Sequence, residues 1–174
     1  MKQNKMREVE IEKIVVSCAG IGDKLEKSVK LLNLITKRKV KKTTSSKRIP
    51  AFEVRPGLET GCMVSIRKKT DIFPLLKRMI EAINHKVERK WIAENHFSFG
   101  VGEYIQIPEV EYQREIGMLG LDITIVFKRK GKRVKLRKIK KGRVPKKQNV
   151  SEEEILEFLK KNFNIEMEEE NDSE

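Results

Sequence analysis

Between Lys128 and Lys147 the chain carries thirteen Lys or Arg in twenty residues and no acid. A stretch with one sign of charge repels itself. It cannot enter a core, because burying unpaired charge costs far more than neighbouring apolar contacts return. The fold must therefore close before this segment and leave it against something of opposite charge. Leu121–Phe127, directly upstream, alternates as the clearest strand in the sequence, so the compact part is expected to end at Phe127. Nucleic-acid phosphate is the commonest dense counter-charge for such a run.

The acids lie elsewhere. Ten of the 26 fall in 152–174, so residues 1–150 hold 37 basic and 16 acidic residues, a net of +21 against +13 for the whole chain. A body this basic favours RNA or DNA over an acidic protein partner. A second acid-free run, Lys37–Arg48, has seven basic residues in twelve and contains Thr43, Thr44, Ser45 and Ser46. Short hydroxyls suit phosphate and 2′-hydroxyl contacts. The bland alternative is an edge strand blunted by lysine. The candidate RNA contacts are Lys39, Lys41, Lys42, Thr43, Thr44, Lys47 and Arg48 in this run, Arg67 and Ser98 between the runs, and Lys128, Arg129, Lys132, Arg133 and Arg137 in the long one.

The rest of the chain interleaves strands and helices. Val9–Val16 reads as a strand, and Asp23 as the cap of a helix carrying Leu25, Val29, Leu32 and Ile35 at helical spacing. Ile49–Gly61, with Pro50, Pro56-Gly57 and Gly61, is a turn region too long for a tight hairpin. Cys62–Arg67 reads as a short strand. Thr70 or Asp71 is expected to cap the next helix, with Pro74 in its first turn and Ile72, Leu75, Leu76, Met79, Ile80 and Ile83 on its apolar face. Phe97–Val101 alternates as a strand, Gly102–Gly120 as mostly loop, and Ser151-Glu-Glu-Glu as a capping box for a helix with Ile155, Phe158 and Leu159 inward. The acidic stretch 166–174 is expected to be disordered.

These elements give an α+β fold, an antiparallel sheet with helices on one face and the other face open. The expected organisation is an RNA-binding core at 1–127 with a flexible loop near 49–61, a basic arm at 128–150, a C-terminal helix at 151–165 and an acidic tail at 166–174.

Other chemistry finds little support. His85 and His96 are the only histidines, and neither stands beside Cys or Ser in a nucleophilic arrangement. Gly20-Ile-Gly and Gly100-Val-Gly do not complete a dinucleotide fingerprint. Cys18 and Cys62 are 44 residues apart with no CxxC and read as small buried apolar residues, so neither metal nor cofactor is expected. Phe97, Phe99 and Trp91 read first as packing residues and second as platforms for bases. Met1–Glu10 lacks an apolar signal region and no apolar run reaches membrane length, so a soluble, intracellular chain with no membrane partner is expected.

Five segments, in order, resemble one known family: Met6-Arg-Glu, Phe52-Glu-Val-Arg-Pro-Gly, Phe97-Ser-Phe-Gly-Val, Ile107-Pro-Glu-Val-Glu-Tyr and Gly117-Met-Leu-Gly-Leu-Asp-Ile-Thr. Together they resemble the archaeal and eukaryotic branch of the fifth universal protein family of the large ribosomal subunit, over nearly all of residues 6–165. The resemblance implies a curved antiparallel sheet that holds 5S rRNA and helps anchor it to the large-subunit rRNA in the central protuberance. It also implies a loop facing the P-site tRNA, here Phe52, Val54, Arg55, Pro56 and Gly57. A small-subunit head protein across an intersubunit bridge and neighbouring large-subunit proteins are the implied protein partners, and the cytoplasmic ribosome the implied location. The chain departs from the family pattern at Ser17, Thr43-Thr-Ser-Ser and Pro56. A general RNA-binding regulator or RNA chaperone using the same sheet is the alternative, and a small nuclease acting through His85 or His96 a further rival.

Overall fold

In the computed structural model, which describes residues 4–168, the strands in chain order are β1 (Val9–Ala19), β2 (Lys41–Thr44), β3 (Glu59–Ile66), β4 (Lys86–Glu88), β5 (Ile92–Ala93), β6 (His96–Val101), β7 (Leu121–Arg129) and β8 (Glu166–Glu168). The helices are α1 (Asp23–Thr36), α2 (Lys69–Ala82), α3 (Arg133–Leu136) and α4 (Glu152–Phe163). Six strands form one antiparallel sheet in the order β2-β3-β1-β7-β6-β5, as the α+β reading expected. β1 is its spine, pairing with β3 on one side and β7 on the other. β4 and β8 pair in parallel as a separate ribbon.

One face of the sheet is covered. Ile14, Val16 and Cys18 of β1, Val64 and Ile66 of β3, Phe97 and Phe99 of β6, and Ile123, Ile125 and Phe127 of β7 are buried there. The apolar stripes of α1 (Leu25, Leu31, Leu32, Ile35), α2 (Ile72, Leu75, Leu76, Met79, Ile80) and α4 (Ile155, Leu159) close the same core. The Phe97 and Phe99 rings stack at 5.1 Å inside it, so they are packing residues rather than platforms for bases. Cys18 and Cys62 sit opposite one another across β1 and β3, buried and unbonded. Burial pushes the Cys18 thiol up to about 12, and that of Cys62 upward too, which leaves neither a useful nucleophile.

The stretch 102–120 lacks strands, as expected, yet it is anchored. Tyr104, Ile107 and Ile116 are buried, and the Tyr104 hydroxyl accepts from the Gln113 N–H at 2.9 Å. Gly120 is required where this stretch returns to β7: a Cβ there would meet the Gly102 carbonyl oxygen at 2.9 Å.

Several local expectations are corrected. Asp23 is the first residue of α1, not its cap. Gly22 caps it with φ +59, a conformation that favours glycine, and Asp23 acts through its charge in the first turn. α2 begins at Lys69 with no side-chain cap, because Asp71 is drawn into an ion pair with Arg38. Pro74 therefore falls in the second turn, where it removes one helical N–H, rather than in the first. β3 starts at Glu59, three residues early, because β2 offers pairing partners from Thr44 onward. Glu166–Glu168, expected to belong to a disordered tail, forms β8: the Glu166 N–H donates to the His85 carbonyl, and backbone pairing with β4 outweighs poor strand propensity. The remainder of that tail lies outside the described residues. The Ser151 capping box is present as read, with Glu154 closing it.

Candidate nucleic-acid interface

Side chains alternate across a strand, so a buried row fixes its opposite. On β1, Lys13, Val15 and Ser17 stand on the face away from the helices. The registers carry that row across the sheet. Val15 lies opposite Ser65 and Thr124, Ser17 opposite Met63 and Asp122, and Thr124 opposite Ser98. Ser98 donates its hydroxyl proton to Thr124 Oγ1 at 3.1 Å, leaving lone pairs for an incoming donor. On the edge strand β2, Lys41 faces Met63 and Thr43 faces Gly61, so both belong to this face.

At that edge Arg38, Lys39, Lys41, Met63, Ser65 and Arg67 line one shallow cleft. Three residues chosen from the sequence, Lys39, Lys41 and Arg67, meet there. Lys42 does not join them. It alternates toward the helices opposite Cys62, and its Nζ donates to Glu59 at 2.8 Å; that hydrogen bond and charge hold the ammonium pKa above its ordinary value. Thr44 is exposed opposite Glu59, and Lys47 and Arg48 are exposed in the turn beyond. Lys13, Arg38, Ser65 and Thr124 were missed from the sequence. The signal was present, because each alternates with a core residue or flanks a basic run.

The long basic segment divides as well. Lys128 lies on the open face opposite Glu10. Arg129 turns toward the helix side, with a side chain only 17% exposed, and its guanidinium donates to both Glu154 carboxylate oxygens at 2.6 and 2.7 Å. It also reaches the carbonyls of Arg7 and Asn149, so it ties the sheet, the N-terminal turn and α4 together. Lys132 pairs with Glu12, and Lys130 with Glu8 and Glu10. Arg133 and Arg137 are exposed at the two ends of α3. The arm is thus pinned at its root by acids of β1 and its approach, and free at its tip.

That pinning has a pH sign. A hydrogen bond and the charge of Lys130 hold the Glu8 carboxyl below the usual carboxylate range. A lowered pKa contributes stability that is full above the unfolded value and lost as pH falls through the folded one. Acidification from about pH 6 to about pH 3 is therefore expected to free residues 130–136. Their backbone NMR shifts should move toward random-coil values before those of β7 do, and Glu8→Gln should reproduce part of this at neutral pH. Arm shifts that hold until the sheet unfolds would show that Glu8 does not pin it.

The loop between β2 and β3 carries its own hydrogen bonds. Ile49 and Val54 exchange both backbone bonds around a 3-10 turn at Pro50–Phe52, and the Gly57 N–H donates to the Ser45 carbonyl at 2.8 Å. Phe52 is 70% exposed at the tip. Arg55, Pro56 and Gly57 are exposed, while Val54 is 6% exposed and serves the loop itself. His85 bonds the Phe163 carbonyl and His96 the Glu94 carbonyl through Nδ1, on separate elements. Among the described residues no cluster of three or more His, Cys, Asp or Glu could hold a metal ion, and no helix is long and apolar enough to cross a membrane.

Residues 59–158 match the C-terminal region of the ribosomal uL5 family. Three relatives, each a large ribosomal subunit protein uL5, align over most of the chain. The Sulfurisphaera tokodaii protein is 37% identical over 167 residues, covering 93% of each chain. The Picrophilus torridus protein is 35% identical with 94% of each covered, and that of Nanoarchaeum equitans 30% identical with 95% of this chain and 99% of the relative covered. The chain belongs to the uL5 family, in its archaeal form. A uL5 protein is a structural constituent of the large ribosomal subunit, not an enzyme, and works in the cytoplasm on the ribosome among rRNA and other ribosomal proteins. Membership covers both basic segments and the whole open face.

Proposed function

We propose that the open face of the sheet binds 5S rRNA and helps anchor it to the large-subunit rRNA in the central protuberance. The observation that carries this reading is the row of Lys13, Lys41, Thr43, Ser65, Arg67, Ser98 and Thr124 on a face that α1, α2 and α4 leave uncovered. Lysines and arginines neutralise phosphates and release counterions, while hydroxyls at fixed strand spacing match sugar and phosphate positions along an RNA groove. In this reading residues 1–127 are the binding core and 128–150 an arm whose exposed Arg133 and Arg137 extend the contact. The 151–165 segment braces both. Phe52, Arg55, Pro56 and Gly57 face the P-site tRNA, and a small-subunit head protein completes an intersubunit bridge.

A competition titration of the full chain tests the core of this proposal. 5S rRNA is set against a tRNA and a random RNA of equal length across a salt series. A 5S preference that persists at physiological salt is expected. Equal affinities lost together as salt rises would leave charge alone acting, as a general RNA chaperone would.

The loop supplies a separate prediction. Because Ile49 and Val54 already form a bridged pair, Pro50–Glu53 can be replaced by Asn-Gly, a pair that closes a two-residue hairpin. The variant is expected to bind 5S rRNA within about twofold of the parent while peptide synthesis by reconstituted ribosomes falls. Loss of 5S binding with the fold intact would move the loop into the rRNA interface instead.

A further inference from the structure

The arm leaves the sheet at Arg129 and comes back to nearly the same place. It turns at Gly131, with φ +96, and passes through α3. On its return the Asn149 side chain donates to Glu94 at 2.8 Å, the Val150 N–H donates to Asn95 Oδ1 at 2.8 Å, and the Asn149 carbonyl meets the Arg129 guanidinium. With both ends pinned, the arm encloses a cleft of about 150 Å³ against the end of β7. Its lining is of three kinds. Lys128 and Lys135 are lysines that no carboxylate engages among the described residues. Gln148 and Asn95 present carboxamides, and Val144 supplies an apolar wall.

This combination differs from a plain phosphate patch. Lysines recognise phosphate as point charges and carry no information about the base. A carboxamide donates and accepts at once, which matches the edge of a nucleobase. The space admits one such group and no strand or helix of a protein partner. A base inside an A-form helix cannot enter it, whereas an unpaired one can be splayed out and held by its edge.

We propose that this cleft takes a single unpaired nucleotide of a bulged or looped RNA, its phosphate held by Lys128 and Lys135 and its base edge by Gln148. The proposal rests on the RNA-binding reading above and assigns a second, base-specific subsite outside the open face.

The test uses the full chain and two RNA hairpins identical except for one bulged 2-aminopurine. The bulged hairpin is expected to bind about tenfold tighter, the range of one good base contact, with a change in 2-aminopurine fluorescence. Lys135→Met with Gln148→Ala should erase that preference while leaving affinity for the paired hairpin within about threefold. Both side chains are exposed, so the thermal midpoint should not move. Equal affinity of the parent for the two hairpins overturns the proposal. So does a preference that survives the double substitution. A loss of equal size on both hairpins also overturns it, leaving a phosphate contact without base capture. The 5S competition run in parallel keeps the two readings apart: a persisting 5S preference with no bulge preference removes the cleft alone.

Discussion

A chain carrying Lys41→Glu with Arg67→Glu is expected to bind 5S rRNA about a hundredfold more weakly than the parent at roughly 0.1 M salt. Both side chains line the cleft at the β2 edge of the open face. Each hydrogen bond to a charged group is worth about 1.5 kcal/mol or more, so losing two gives about 3 kcal/mol, or two decades in affinity. Each lost phosphate contact also removes about one unit from the slope of log affinity against log salt, so the slope should fall by about two. The control is Lys42→Met. Lys42 neighbours Lys41 in sequence, but it faces the helices and pairs with Glu59. Its loss should change affinity less than about threefold. If Lys42→Met weakens binding as much as the double reversal does, the interface is not the open face, and the basic run is acting as an unstructured tether.

The contrast between Lys41 and Lys42 shows where the sequence stops being informative. An acid-free run announces a phosphate partner, because no intramolecular arrangement neutralises it. It does not say which lysine faces outward, because that depends on the pairing register, and the register of β2 is set by β3. Arg129 makes the same point from the other side. Composition places it with the RNA contacts, but it sits two residues past Phe127 on the edge between sheet and arm, where Glu154 engages it. The hidden acids of the arm are Glu8, Glu10 and Glu12, more than a hundred residues upstream. Long-range neutralisation of this kind leaves no local trace.

The long elements were legible for the opposite reason. β1, β7, α1, α2 and α4 each carry enough apolar residues at a fixed period for burial to decide their structure locally. β4, β5 and β8 span two or three residues, too few for a period, and exist because another strand is already in place. Ser98 was found, but its partner Thr124 was not: the alternation inside β7 is visible, yet its opposite number on β6 is known only once the strands are aligned.

Phe127→Ala is expected to give the largest loss of stability among single substitutions at this end of the sheet, about 3–5 kcal/mol. Phe127 is 0% exposed on β7, and its ring meets that of Phe158 on α4 edge to face at 5.6 Å. Truncation removes buried area, leaves a void that β7 cannot collapse to fill, and deletes an aromatic contact worth about 1 kcal/mol. Against a typical total of about 5–15 kcal/mol this is a large fraction, and for a chain of this size it lowers the thermal midpoint by on the order of 10 °C. Phe158→Ala, at a half-buried ring, should cost less than half as much, and Tyr112→Ala, at an exposed ring, about 0.5 kcal/mol or less. Chemical denaturation of the three variants checks the order. α4 is held to the sheet at Phe127, Phe158 and the Arg129–Glu154 pair, and the arm is rooted at that same junction. Phe127→Ala should therefore also expose residues 130–150 to hydrogen exchange well below the midpoint, while 5S rRNA affinity at low temperature stays near that of the parent. A variant that unfolds in one step, with no early exchange in the arm, would show that the arm's root is held by its ion pairs and not by the packing of α4.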